Sequence, residues 1–135
     1  MPELKTRRLF ISHAWNYSTH YHQIVNWFNE EPNFTWSNYS VPRHDSCSET
    51  TSAGLTRCMN NQLRPAQCVI ILAGMYASHS AWIEYEINEA VRMGKTIIGV
   101  RPWGQERIPQ IIQDNADVMV GWNKASIISA VRYWV

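Results

Sequence analysis

Eight consecutive residues, Gln67-Cys68-Val69-Ile70-Ile71-Leu72-Ala73-Gly74, do most to limit what this chain can fold into. The run is too short for a typical helix, is rich in β-branched side chains and has no alternation of polar and apolar positions. A strand of that kind is covered on both faces, which is the situation in the middle of a parallel sheet. Other short apolar segments surround it: Leu9-Phe10-Ile11, Phe34-Thr35-Trp36, Thr96-Ile97-Ile98-Gly99-Val100 and Asp117 to Trp122. Helical patterns separate them. Ile24, Val25, Trp27 and Phe28 recur after Ser18 until Glu30-Glu31-Pro32, and Leu55, Met59 and Leu63 follow one another at i+4 before Pro65. Ser80 to Met93 reads as a helix ended by Gly94 as a C′ residue, Ile108 to Asn115 as a short one, and Lys124 to Trp134 as a last amphipathic one. Strands joined through helices pair in parallel with right-handed crossovers. The expected fold is therefore α/β and flavodoxin-like: a doubly wound, five-stranded parallel sheet with helices on both faces.

A chain of 135 residues without internal repeats suits one domain, 1–135, with one core. Twelve basic and eleven acidic side chains give a net charge of +1, so neither nucleic acid nor an anionic membrane surface is an expected partner. No stretch approaches the ~20 apolar residues of a membrane span, and no apolar run of about 7 or more follows the basic residues near the start. The expectation is a soluble, unexported protein of the cytoplasm. Cys47, Cys58 and Cys68 fit neither a disulfide framework nor paired zinc ligands and read as reduced thiols. His20 and His22, two apart on a helix, do not converge on one metal, so no metal site and no bound cofactor is expected. Seven Trp and six Tyr exceed what a small core needs, which leaves aromatics for a pocket or an interface.

Candidate chemistry centres on Ser80-Ala-Trp-Ile-Glu-Tyr-Glu-Ile-Asn-Glu-Ala90, with three glutamates in six residues. At 100° per residue, Ile83, Ile87, Ala90 and Val91 share the arc expected to face the sheet. Glu84 shares a solvent arc with Asn88 and Arg92, and Glu89 has Arg92 at i+3 as an ion-pair partner. Glu86 lies on the flank with Trp82, has no cation at i±3 or i±4, and is the carboxylate set against an aromatic wall, a setting that suits catalytic acids. An ordinary helix-flank glutamate is the plain alternative. Ligands of open parallel sheets bind outside the strands' C-terminal ends. Glu86 approaches that crevice from the side, and Ser12 and His13 end the first strand on its rim.

Other functions of this fold class fail on specific residues. A phospho-accepting receiver needs acidic residues at the ends of its early strands to hold Mg²⁺, but Ser12-His13 and Ala73-Gly74 stand there. A flavodoxin needs a Ser/Thr/Gly-rich phosphate turn after the first strand, where His13-Ala14-Trp15-Asn16 has no glycine. GxGxxG and GxSxG are both missing.

The residues do resemble one family. Leu9-Phe10-Ile11-Ser12-His13 resembles the first conserved box of Toll/interleukin receptor (TIR) domains, and the polar loop Asn38 to Asp45, with Pro42, resembles the loop after the second strand, though it lacks that box's usual Arg, Asp and Pro-Gly run. Ser80-Ala81-Trp82-Ile83-Glu84-Tyr85-Glu86 is similar to the Ser-x-Trp-x-x-x-Glu pattern of NAD-cleaving TIR domains. More narrowly, the chain resembles bacterial TIR-like proteins of the Thoeris type of phage defence. That resemblance implies cleavage of NAD⁺ at the nicotinamide–ribose bond, as substrate and not cofactor, to ADP-ribose or a cyclic signalling nucleotide. It makes Glu86 the catalytic carboxylate and Trp82 a residue packing on nicotinamide or adenine. Ser12, His13, Asn38 and Arg43 are weaker candidates for contacts to ribose or diphosphate. The implied partners are further copies of the chain, through TIR–TIR contacts, and a downstream effector that responds to the product. Two other readings stay open: a non-catalytic interaction module with Trp36, Tyr39 and Trp103 as anchors, and a nucleotide-binding sensor without turnover.

Overall fold

A computed structural model describes residues 6–12, 19–39, 60–61, 63–72, 76–101 and 110–135; for 12, 19–20, 72 and 76–83 it describes the backbone alone. The elements follow in the order β1 (Arg7–Ser12), α1 (Thr19–Glu30), β2 (Trp36–Asn38), β3 (Cys68–Leu72), α2 (Tyr76–Arg92), β4 (Thr96–Val100), α3 (Gln110–Asn115), β5 (Val118–Val120) and α4 (Lys124–Trp134). The five strands form one sheet in the order β2-β1-β3-β4-β5, and every neighbouring pair is parallel. The flavodoxin-like α/β architecture expected from the alternation of elements is the one observed.

The apolar run is the middle strand. Cys68 to Ile71 align with Leu9 to Ser12 of β1, and Cys68 to Leu72 align with Thr96 to Val100 of β4, so β3 is bonded along both edges. Its side chains alternate between two cores. Cys68 and Ile70 join Leu9, Ile11, Ile98 and Val100 beneath Tyr21, Ile24 and Phe28 of α1 and Ile127, Ile128 and Val131 of α4. Val69 and Ile71 join Phe10 and Ile97 beneath Ile87 and Ala90 of α2 and Ile112 of α3. All the strand members named here are at most 1% exposed, which explains why the run shows no polar alternation.

Local chemistry sets the element ends. After α1, Asn33 takes a left-handed backbone (φ 58°), a conformation asparagine tolerates better than most residues, and turns the chain so that Phe34 stacks on Phe28 at 5.2 Å. The strand expected over Phe34 to Trp36 therefore begins two residues later, because Phe34 is spent in the core. Gly94 ends α2 with φ 70°, its N–H bonding the Val91 carbonyl and the Lys95 N–H bonding that of Ala90, a Schellman pair. Strand β5 is shorter than the expected span from Asp117 to Trp122. Asp117 substitutes for a rung of it: its N–H donates to the Ile97 carbonyl and its Oδ2 accepts from the Ile97 N–H, both at 2.8 Å. At the other end Asn123 is already a cap, its Oδ1 accepting from Ser126 N–H at 2.8 Å to start α4. The helix read over Leu55 to Leu63 lies mostly outside the described residues, of which Asn60, Asn61 and Leu63 are helical.

Cys68 sits at the crossing of these contacts with no exposed surface, and burial, reinforced by the carboxylate of Asp117, pushes its thiol pKa far up. Peptide mapping after iodoacetamide treatment at pH 8.5 should find Cys68 unmodified in the native protein and modified in denaturant. Because the folded thiol titrates above the unfolded one, folding stability is fully present below about pH 8.5 and falls above it, by up to ~1.4 kcal/mol per pH unit from this group. Denaturant melts across that range check the sign.

Candidate functional site

In a right-handed β3-α2-β4 unit the helix runs back against the strands, from the edge where they end to the edge where they begin. Glu86 lies six residues before the last residue of α2, about 9 Å along the axis. Helical side chains lean toward the helix N-terminus, which here means toward the strands' C-terminal edge, so a long side chain at 86 extends in the direction of the crevice.

The apolar pattern alone places Val91 against the sheet and Glu86 on the flank. The structure turns the helix the other way. Ile87 and Ala90 are fully buried as expected, but Val91 is 51% exposed and Glu86 only 4%. On a 100° wheel the buried arc is shifted by roughly 40° toward Glu86. Among the described residues Glu86 is the buried charged side chain, and its Oε2 is closed off from solvent. Such an arrangement forgoes about 1 kcal/mol or more of apolar burial at Val91 and takes a carboxylate out of water, which costs several kcal/mol unless polar partners or a proton compensate. Conflicts of this kind between local pattern and tertiary packing concentrate at functional positions.

The other two glutamates differ from it. Glu89 is engaged by Arg92, whose Nε donates to its Oε2, the i+3 pairing the spacing predicts. Glu84 is half-buried, while Asn88 and Arg92 on the same arc are exposed. One flank residue that the pattern did not single out is Tyr85. It packs half-buried against the core of Phe10, Val69, Ile71 and Ile87, and its hydroxyl donates to Asn60 Oδ1 at 2.9 Å. Its partner stands 25 residues away, so no local spacing announces the bond.

The remaining candidates do not all converge. Ser12 is the last residue of β1, level with Ile71, and thus at the strand-end edge. Asn38 is level with Leu9, three residues or about 10 Å below the end of β1. Its Nδ2 donates to the Tyr21 hydroxyl at 2.9 Å, on the α1 face of the sheet and not the α2 face that carries Glu86. Trp82 lies one helical turn before Glu86 in α2, but only its backbone is described, and His13 and Arg43 lie outside the described residues. Among the described residues no three His, Cys, Asp or Glu side chains are placed to hold a metal ion, and no helix is long and apolar enough to cross a membrane.

Glu86 is thus a buried carboxylate on the helix that leaves the central strand of a parallel sheet. The sequence model described as Thoeris protein ThsB, TIR-like domain, matches residues 10–107. The chain belongs to this TIR-like family. The matched span contains Ser12, His13, Asn38, Arg43, Trp82 and Glu86, and stops before α3. No curated protein sequence matches the TIR-like chain. Among solved structures it is similar to the CMP N-glycosidase BcmB of Clostridium botulinum, with a TM-score of 0.59 and 13% identity over 95% of this chain and 100% of that one. At that identity the likeness shows the fold.

Two stability measurements test the rotation of α2. Val91→Lys should change the unfolding free energy by less than ~0.5 kcal/mol, since the position faces water, whereas Ile87→Ala on the buried arc should cost about 2–5 kcal/mol. Glu86→Gln, which removes the charge and keeps the shape, should leave Tm unchanged or raise it by a few degrees, as expected where stability is given up for function. A clear fall in Tm would mark Glu86 as a structural ion instead.

Proposed function

We propose that this TIR-like chain cleaves NAD⁺ at the bond between nicotinamide and ribose, with Glu86 as the catalytic carboxylate. The observation that carries the reading is the burial of Glu86, at the glutamate of the Ser-x-Trp-x-x-x-Glu pattern, on a helix turned to bring it inward at the expense of Val91. When the bond between ribose C1′ and the pyridinium nitrogen breaks, its electron pair stays on nitrogen. Nicotinamide leaves neutral and needs no proton. The charge passes to the ribose as an oxocarbenium-like centre, which a fixed carboxylate stabilises and whose hydroxyls it can hold. One acidic group suffices for that chemistry, in contrast to glycosidases, whose leaving groups need an acid.

The ribosyl cation is then captured by water, releasing a proton and giving ADP-ribose, or by a nucleophile within the ADP-ribose itself, giving a cyclic product. Trp82, one turn before Glu86, is proposed to pack on the base and exclude water; Ser12, His13, Asn38 and Arg43 are proposed for the ribose and diphosphate. Asn38 needs to leave its bond to Tyr21 to take part. The CMP N-glycosidase of similar fold is named for the same class of bond, a sugar carbon to a base nitrogen, which supports the compatibility of this architecture with such a reaction. Membership in the Thoeris ThsB family supports a place in phage defence, acting in the cytoplasm, with the product as a signal to an effector and with assembly of like chains completing the site.

Chromatography of NAD⁺ incubated with concentrated protein tests the reading. The wild type should release nicotinamide together with ADP-ribose or a cyclic isomer, and Glu86→Gln should lower the rate by at least ~10²-fold, as removal of a group that stabilises charge in the transition state does. If the wild type consumes no NAD⁺ in any assembly state, the enzyme reading fails and the interaction module takes its place.

A further inference from the structure

An aliphatic seam such as Ile87 and Ala90 does not by itself fix how a helix is rotated about its axis, because neighbouring rotations bury similar area. On α2 the apolar pattern favours a rotation that draws Val91 in and lets Glu86 out, and the observed rotation is the opposite one. A specific contact must therefore hold the helix where it is. Tyr85 is placed for this. It adjoins Glu86, lies about 100° from it on the wheel, and is gripped at both ends. Its ring is half-buried against the core on the α2 face of the sheet, and its hydroxyl donates to Asn60 Oδ1 at 2.9 Å, in the segment just before β3.

A rigid aromatic fixed at its base by the helix and at its tip by a hydrogen bond to another element works as a strut. Rotation of α2 by the ~40° that would bring Val91 in would swing the Tyr85 ring away from Asn60, several ångströms at the length of a tyrosine side chain. The lower end of the helix is held separately. Lys95 Nζ donates to the Arg64 carbonyl at 2.7 Å, in the same segment as Asn60, so two points of that segment bracket the stretch that carries Glu86.

We propose that Tyr85 is a positioning residue that, through its bond to Asn60, sets the rotation of α2 and thereby the burial and aim of the Glu86 carboxylate. The inference rests on the reading of Glu86 as the catalytic group for its effect on rate, but its physical content, the environment of Glu86, is independent of turnover. It adds two residues to the account of the site, neither of which needs to touch substrate.

The test uses Tyr85→Phe, which removes only the hydroxyl, and Asn60→Ala, which leaves the ring in place. Two readouts are taken: nicotinamide release from NAD⁺, and the titration of the Glu86 side-chain carboxyl followed by carbon-detected NMR. Each variant should lower kcat by roughly tenfold or more with KM within about threefold, since misplacement of a catalytic group acts on the chemical step. The double variant should be no slower than either single one, because both remove the same strut. Both variants should also displace the Glu86 titration curve from that of the wild type, with Tm within a few degrees of it.

A Glu86 titration unchanged in both variants overturns the proposal, whatever happens to the rate. A wild type that releases no nicotinamide overturns the proposed function, while the titration still decides whether Tyr85 and Asn60 position Glu86.

Discussion

The structure depends on a strand that has nowhere to meet water. β3 is bonded on one edge to β1 and on the other to β4, and its alternate side chains enter two separate cores. Every backbone polar group of such a strand is satisfied only if both neighbours are present, and both of its faces are dry only if helices cover each side. The position of α1 and α4 on one face and of α2 and α3 on the other follows from that requirement. So does the edge on which ligands of such sheets bind. With all strands parallel, their C-terminal ends collect on one edge, and the helix leaving β3 starts there.

Within this frame α2 carries two demands that do not agree. Its apolar residues ask for one rotation and the carboxylate at 86 is held by another, with Val91 left in solvent. Burying an ionisable group while exposing a branched aliphatic one runs against the hydrophobic term that builds the rest of the molecule. It is intelligible where a charge must be kept out of water to act on a developing cation, because low dielectric and exclusion of solvent both strengthen that interaction. The Ser-x-Trp-x-x-x-Glu pattern read in the sequence ends on the same residue, inside the span that the TIR-like family model matches.

Much of the fold was legible in the residues because it rests on short-range rules. The unbroken apolar run marked the central strand; Gly94 marked the end of α2; Thr96 to Val100 and Lys124 to Trp134 have the limits their patterns predict. Boundaries shifted where a side chain took on a tertiary task. Phe34 left β2 for a stack on Phe28, and Asp117 replaced a backbone rung of β5 with its carboxylate. The candidate set divides in the same way. Glu86 was visible as a carboxylate without a local cation, whereas the separation of Asn38 onto the α1 face depends on strand register, which no single segment contains.

The sequence by itself determined the α/β alternation, the parallel sheet with β3 at its centre, and the glutamate to examine, because periodicity, glycine conformation and the absence of a neighbouring cation are properties of a few adjacent residues. The tertiary structure alone decided how α2 is turned. A helical wheel ranks faces by local composition, but Tyr85 meets Asn60 across 25 residues of chain and the cost of exposing Val91 is set against packing supplied by other elements. Rotation about a helix axis is a collective property of everything that touches the helix, and it is that rotation which makes Glu86 a buried carboxylate.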